Sequence, residues 1–292
     1  HDHVDGYNNT LIGRYAGREI TNGHSNTVLG HASLQTATTA VTNTALGMHS
    51  MRLTTTGSDN VAVGHEALDK NTTGGNNTAV GKSALIANTT ASFNTAVGDK
   101  AMQTNTTGTN NTAIGHQALN KNTTGGLNTG LGLNALYNNT TASNNTAVGH
   151  SALFANTTGD INTAVGRDAL KSNTTASSNN AFGREALRDN TTGTNNTAMG
   201  VSALSTNTTA SSNTALGTST LRLNTTGDQN TAVGHQALDA NTTGTVNTAV
   251  GKSALDANTT GGYNVAVGHD SMLLNTTGIT NTALGNNALR GN

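Results

Sequence analysis

Every seventeenth residue of this chain closes the same word. Marking the glycine that ends each N-T-A-V-G-like segment gives Gly13, Gly30, Gly47, Gly64, Gly81 and Gly98, and the series runs without a slip to Gly285. The span from Gly13 to Gly285 is 272 residues, or 16 steps of 17, so there are 17 copies, the last cut short. With the first asparagine of each copy as position 1, the consensus is N-T-A-V-G-x-x-A-L-x-x-N-T-T-G-x-x. A fixed period with no insertion means that each unit stacks on the one before, because a single short repeat cannot bury its apolar face alone. Seventeen residues suit one coil of a parallel β-solenoid. Residues 1–8 then form a lead-in, and 9–292 a single solenoid.

Stacking explains the monotony of the spelling. Identical residues lie above one another, so Asn71, Asn88, Asn105 and Asn122 are placed to form a ladder of side-chain amides, each donating and accepting along the stack. Within a coil, position 4 is always large and apolar, as in Ile12, Leu29, Val63, Phe182 and Met199, and position 9 is usually leucine or methionine, as in Leu68, Leu85 and Met102. These two rows are the expected core. Position 2 is mostly threonine but becomes Val61 and Val265, which points positions 2 and 4 inward together on one short strand and the alanines of position 3 outward. Glycine at position 5 permits a tight turn. Positions 6–11, as in HEALDK (65–70) or REALRD (184–189), favour helix formers, so one helical turn competes there with a second strand. Small residues at position 15, such as Gly74 and Ala91, mark the corner that closes the coil.

Two such apolar rows make a thin core for 17 ordered residues. An outward row of alanines is then most simply covered by another chain, and the close approach of small-residue faces predicts a symmetric homotrimer. Composition agrees with a repeat structure rather than an ordinary globule: 33% of the chain is hydrophobic, 2% aromatic and 10% charged, with no proline, tryptophan or cysteine. Disordered chains share the low hydrophobicity but usually carry proline and high net charge, whereas the formal net charge here is −1. A balance so close to neutral supplies no basic field for nucleic acid. No apolar run approaches the length of a membrane span, and HDHVDGYNN has no signal-peptide pattern. Starting at His1 and stopping within a motif at Asn292, the chain reads as a processed product or a segment of something longer.

The words N-T-A-V-G and, above all, N-V-A-V-G at 60–64 and 264–268 resemble the S-V-A-I-G motif of trimeric autotransporter adhesin heads, whose shorter-period coils form a left-handed parallel β-roll shared by three chains. In period and spelling the chain is also similar to repeat regions of phage tail-fibre-like and bacterial surface proteins that often precede an endosialidase-type intramolecular chaperone, most clearly in NNTLIGRYAGREITNGHSNTVLG (8–30). The resemblance covers nearly the whole chain and implies a trimeric fibre at a cell surface or on a virion.

Position 6 gathers His31, His65, His116, His150, His235 and His269, with Arg14, Lys82, Arg167, Arg184 and Lys252 in the same row. A metal- or anion-binding stripe is one reading. A solvated row just after a turn is the preferred one, since the histidines are mostly not in adjacent coils and carboxylates do not recur with ligand spacing. His150 lies one coil from Arg167, so proximity of like charge would make the row sensitive to acid. His1, Asp2 and His3 form an H-x-H at a terminus. Gly81-Lys82-Ser83 and Gly251-Lys252-Ser253 are repeat positions rather than phosphate-binding loops. The many N-x-T sequons, such as Asn71 with Thr73, arise from the repeat itself. The scattered Ser, His and Asp form no catalytic constellation, so no catalytic, cofactor or metal residue is assigned. Three functions follow: a structural rod or adhesive stalk of an extracellular adhesin or tail fibre, with weak multivalent attachment to glycans or surfaces; an ice- or crystal-binding solenoid; and a disordered linker. Strict register disfavours the third. Adjacent threonines at positions 13 and 14 weaken the second, because they face opposite sides of an extended strand.

Overall fold

A computed structural model describes residues 6–291. The chain divides into two compact units at a coil boundary, residues 1–144 and 145–292, and each is a parallel β-solenoid with one three-residue strand per coil. The first contains β1 (Thr10–Ile12), β2 (Thr27–Leu29), β3 (Thr44–Leu46), β4 (Val61–Val63), β5 (Thr78–Val80), β6 (Thr95–Val97), β7 (Thr112–Ile114) and β8 (Thr129–Leu131). The second contains β9 (Thr146–Val148), β10 (Thr163–Val165), β11 (Asn180–Phe182), β12 (Thr197–Met199), β13 (Thr214–Leu216), β14 (Thr231–Val233), β15 (Thr248–Val250), β16 (Val265–Val267) and β17 (Thr282–Leu284). Within each unit consecutive strands pair in parallel at a register of one repeat: Ala79 sits beside Ala96 and Ala96 beside Ala113, as Ala164 sits beside Ala181.

The face of the strand that turns inward is the reverse of the one expected. Position 3 is the buried row, with Ala62, Ala79, Ala147 and Ala232 fully enclosed, whereas positions 2 and 4 are half-buried or exposed. Alternation along a strand fixes that 2 and 4 share a side; it does not say which side is in. Position 9 decides that. Leu68, Leu85, Leu119 and their equivalents are fully buried and fill the coil, leaving room across from them for a small side chain, alanine in most coils and Val28 opposite Leu34. A Cβ added to Gly130, at position 3, would lie 3.4 Å from Leu119 Cδ1. The first coil makes the same point by exchange: it has Leu11 at position 3 and Gly17 at position 9, and a Cβ on Gly17 would come within 2.8 Å of Leu11 Cδ2. Large and small swap, and the interior volume is kept. Since the alanines are covered by their own coil, they present no outward small-residue face on which a second and third chain could pack.

Positions 6–11 form neither a helical turn nor a second strand in any described coil. They alternate between right- and left-handed backbone, with φ near +52° at Ser83 and +53° at Leu85. This turns successive peptide groups toward opposite neighbours. Ser83 N–H donates to His65 C=O at 2.9 Å, one coil back, and Leu85 N–H to Ala101 C=O at 2.9 Å, one coil on, while Ala84 N–H closes a turn on Gly81 C=O at 3.3 Å. A leucine in the left-handed region costs about 1–2 kcal/mol alone, and its bonds to the next coil hold it there. Gly81 and Gly98, with φ of +133° and +136°, are required by both conformation and space: a Cβ on Gly98 would lie 2.5 Å from Gly115 O.

Two asparagine files line each unit, the one at position 1 in every coil and the one at position 12 from Asn71 onward. In the expected one, at position 12, Asn88 Nδ2 donates to Asn71 Oδ1 at 2.9 Å, Asn105 Nδ2 to Asn88 Oδ1 at 3.1 Å and Asn122 Nδ2 to Asn105 Oδ1 at 2.8 Å. Each also donates to a carbonyl in its own corner, as Asn88 does to Ala91 O at 2.9 Å. A second file at position 1, not foreseen, is tied more tightly. Asn60 Oδ1 accepts both the backbone N–H of Asn77 at 2.9 Å and its Nδ2 at 3.1 Å, and Asn77 Nδ2 donates on to Ala91 O at 2.9 Å. Threonine at position 13 adds a third contact: Thr72 Oγ1 donates to Thr89 O at 2.9 Å. Polar side chains thus take the place that a wider apolar core would fill, and they can because nearly every one is hydrogen-bonded.

Candidate interaction surface

Turning the alanines inward sends positions 2 and 4 outward, and this creates a repeated apolar row on the strand face of each unit. Along position 4, Ile12, Leu29, Ile114, Leu131, Phe182, Met199 and Leu284 are exposed large hydrophobics, the last at 78%. Val61 and Val265 at position 2 join them. Position 17, which leads into the strand, adds Phe93, Leu127, Ile161 and Tyr263, each about three-fifths exposed (59–62%). No copy carries a charged side chain or a histidine at positions 1–5. Over positions 1–5 the face is therefore a ribbon of threonine and aliphatic side chains with none of the charges that ordinarily protect an exposed apolar surface, bordered at position 17 by a mixed row that includes the exposed Asp59. No cavity opens among the described residues.

Most charges lie instead on the turn side, and several of them are paired there. Arg52 Nε meets Asp69 Oδ1 at 3.0 Å, and Arg222 Nε meets Asp239 Oδ1 at 2.9 Å, both pairs at position 10 of adjacent coils. Their hydrogen bonds to these carboxylates explain why Arg222 holds its proton more tightly than usual, as Arg188 does beside Asp189. Asp256 goes the other way for a carboxylate: burial, then the charges of Asp239 and Asp270, raise its pKa above 3.8, partly opposed by Arg222 and His235.

The expected charged stripe at position 6 is mostly exposed, with only His65 half-buried among its histidines. It is not uniformly cationic. His116 Nε2 lies 3.4 Å from Asp99, His269 Nδ1 lies 3.5 Å from Asp270, and Arg167 stands between Asp168 at 3.5 Å and Glu185 at 3.2 Å. Positions 6 and 7 interleave, which the row alone conceals: Tyr15, His31, His49 and His65 form a file of rings with centroids 5.8, 5.6 and 6.3 Å apart. His49 and Glu66, both at position 7, were missed as site residues for that reason. His1, Asp2 and His3 lie outside the described residues. Asn71, the sequon residue, is fully buried and donates to Gly74 O at 2.9 Å, so its amide is not on the surface. Lys82 and Lys252 are exposed side chains after a turn. The chain matches no protein-family model and no curated protein.

Proposed function

We propose that this chain is a structural fibre or adhesive stalk segment of an extracellular surface adhesin or tail fibre, in which identical chains associate as a homotrimer through the outward strand face. One observation carries the reading: an uncharged row of apolar side chains turns outward at position 4 in every coil, half-buried in most and exposed at Ile12, Leu29, Ile114, Leu131, Phe182, Met199 and Leu284. A second copy of the chain bears the same row at the same spacing, so two or three copies meet in register over many coils, and small contributions add along the length. The role is mechanical, not catalytic: reach comes from the number of coils, and the variable turn positions offer weak multivalent contact to glycans or surfaces. The location outside the cell rests on the likeness of the repeat words to adhesin heads and tail-fibre repeats. Sedimentation equilibrium tests the association. A trimer is expected for the parent chain, and a folded monomer for F182K/M199K, with the far-UV circular dichroism of the two alike. A parent chain that is a stable folded monomer at micromolar concentration refutes the proposal.

A second reading has its own observation. The outward Thr and Val of T-A-V strands form two parallel files on one face, which is the arrangement that an ice- or crystal-binding surface needs, and they stand at positions 2 and 4 rather than at 13 and 14. Against it, the position 4 file mixes valine with Phe182, Met199 and leucines, which breaks a lattice match but not a side-chain packing. Thermal hysteresis in the monomeric variant would favour this second reading.

A further inference from the structure

The file of rings in the first unit ends in a cluster that no other coil repeats. His49, from position 7 of the third coil, and His65 and Glu66, from positions 6 and 7 of the fourth, each bring one ligating atom within 4.8 Å of the others. Among the described residues this is the one group of three such side chains. His65 Nδ1 lies 3.7 Å from Glu66 Oε2. All three residues are half-buried, and the backbone that carries them is fixed: His49 N–H donates to His31 C=O at 3.0 Å and Glu66 N–H to Met48 C=O at 3.1 Å. The φ angles of His49 and Glu66, +60° and +57°, belong to the repeated backbone of position 7 and not to local distortion. Glu66 Oε2 also accepts the hydroxyl of Ser83 at 3.4 Å, from the following coil, which steadies the carboxylate from outside the cluster.

We propose that His49, His65 and Glu66 bind a divalent transition-metal cation of the zinc class, with a water completing the shell. Two imidazoles and one carboxylate suit such an ion, whose bonds to nitrogen and oxygen are about 2.0–2.2 Å. Around a tetrahedral centre of that size the ligand atoms stand about 3.4 Å apart. The three ligand atoms already lie within 4.8 Å of one another, so binding requires them to close by about 1 Å. The other histidine–carboxylate pairs, His116 with Asp99 and His269 with Asp270, lack the second imidazole and are not assigned metal. Since His49 belongs to one coil and His65 and Glu66 to the next, the ion bridges two coils, and occupancy stabilises the folded state by mass action.

Zinc chloride titrated calorimetrically into the full chain tests the assignment, with cobalt(II) absorption reporting the coordination. The expected result is one saturable site per chain and an intense cobalt visible spectrum of tetrahedral type, with a melting temperature that rises on zinc addition. H49N, H65N and E66Q should each weaken zinc binding at least tenfold and abolish the zinc-dependent melting shift. H235N, which removes a position 6 histidine from the other unit, should leave both unchanged. Asparagine is chosen at position 49 because it tolerates the left-handed backbone, and unchanged far-UV dichroism checks that each variant folds. Absence of a saturable site in the parent, or parent-like zinc affinity in the three variants, overturns the proposal.

Discussion

Replacing Asn105 with alanine tests whether the amide files hold the coils together. In the structure Asn105 Nδ2 donates to Asn88 Oδ1 at 3.1 Å and to Gly108 O at 3.0 Å, and its Oδ1 accepts from Asn122 Nδ2 at 2.8 Å. Truncation does not orphan Gly108 O, which still receives Asn94 Nδ2 at 2.9 Å. It does strip Asn88 Oδ1 of its donor on this side and leaves one N–H of Asn122 facing a void, although the other stays on Gly125 O at 2.9 Å. Two buried polar groups left unsatisfied cost about 1–3 kcal/mol each, and the small cavity adds to this, so a loss of about 3–5 kcal/mol is expected. In a stacked array the loss is felt first by the neighbouring coils. Native-state hydrogen exchange at the amides of Thr95 and Thr112, which donate across coils at 2.8 Å, reads it directly: about 1.4 kcal/mol is tenfold, so exchange should quicken by about a hundredfold or more. T107A, at the exposed position 14 of the same coil, should stay within about 0.5 kcal/mol of the parent. Exchange in N105A within threefold of T107A would refute the reasoning.

Three further outcomes are expected. A147D buries a charge in a fully enclosed row and should abolish the β-type dichroism, whereas V148D, on the outward face, should keep it; the reverse order would restore the opposite assignment of the strand. G130A should stabilise the first unit by about 1 kcal/mol, through a stiffer unfolded chain and one more buried methyl, and a lowered melting temperature would mean that the 3.3 Å approach to Ala135 O is too close. D256N should melt higher than the parent near neutral pH: the folded carboxylate has a raised pKa and holds its proton more tightly than the unfolded one, so its ionised form costs stability above the folded pKa, and that cost is relieved as pH falls toward 3.8. Melting curves of parent and variant that stay parallel across this range would show that Asp256 is not strained.

The period alone made the stack, its register, the turn glycines and the position 12 file readable in the sequence. The direction of the strand was not, because alternation is symmetrical and the larger side chains of position 4 seemed the better core. What decides it is the narrowness of the coil, and the sequence does carry one trace of that in the exchange of Leu11 and Gly17. The turn at 6–11 was hidden for a different reason: residues such as Glu66, Ala67 and Leu68 have helical propensity, but bonds to two neighbouring coils override it. The metal cluster needs positions 6 and 7 of successive coils read together, and a column-by-column reading separates His49 from His65.

The two asparagine files also set how the protein ages. Asparagine deamidates when the backbone nitrogen of the next residue attacks its side-chain carbonyl carbon and expels ammonia to form a cyclic imide, which water then opens to a carboxylate, and asparagine is accordingly counted among the heat-labile residues. In a closed coil that nitrogen is occupied: after Asn77, Thr78 N–H is held by Asn94 O at 2.8 Å, and after Asn71, Thr72 N–H is held by Thr89 O at 2.8 Å. The side-chain carbonyl is pinned by the next amide in the file, so the ring that deamidation must form cannot close. A coil that opens loses both restraints. Once converted, an aspartate at position 77 keeps the backbone N–H bond to Asn60 Oδ1 but has no side-chain N–H to give to Asn60 Oδ1 or Ala91 O, and it would bring a charge into a buried site, so the coil does not close again as it was. Brief local openings are thereby recorded as permanent lesions, and the chemical lifetime of the solenoid is set by how rarely its coils separate.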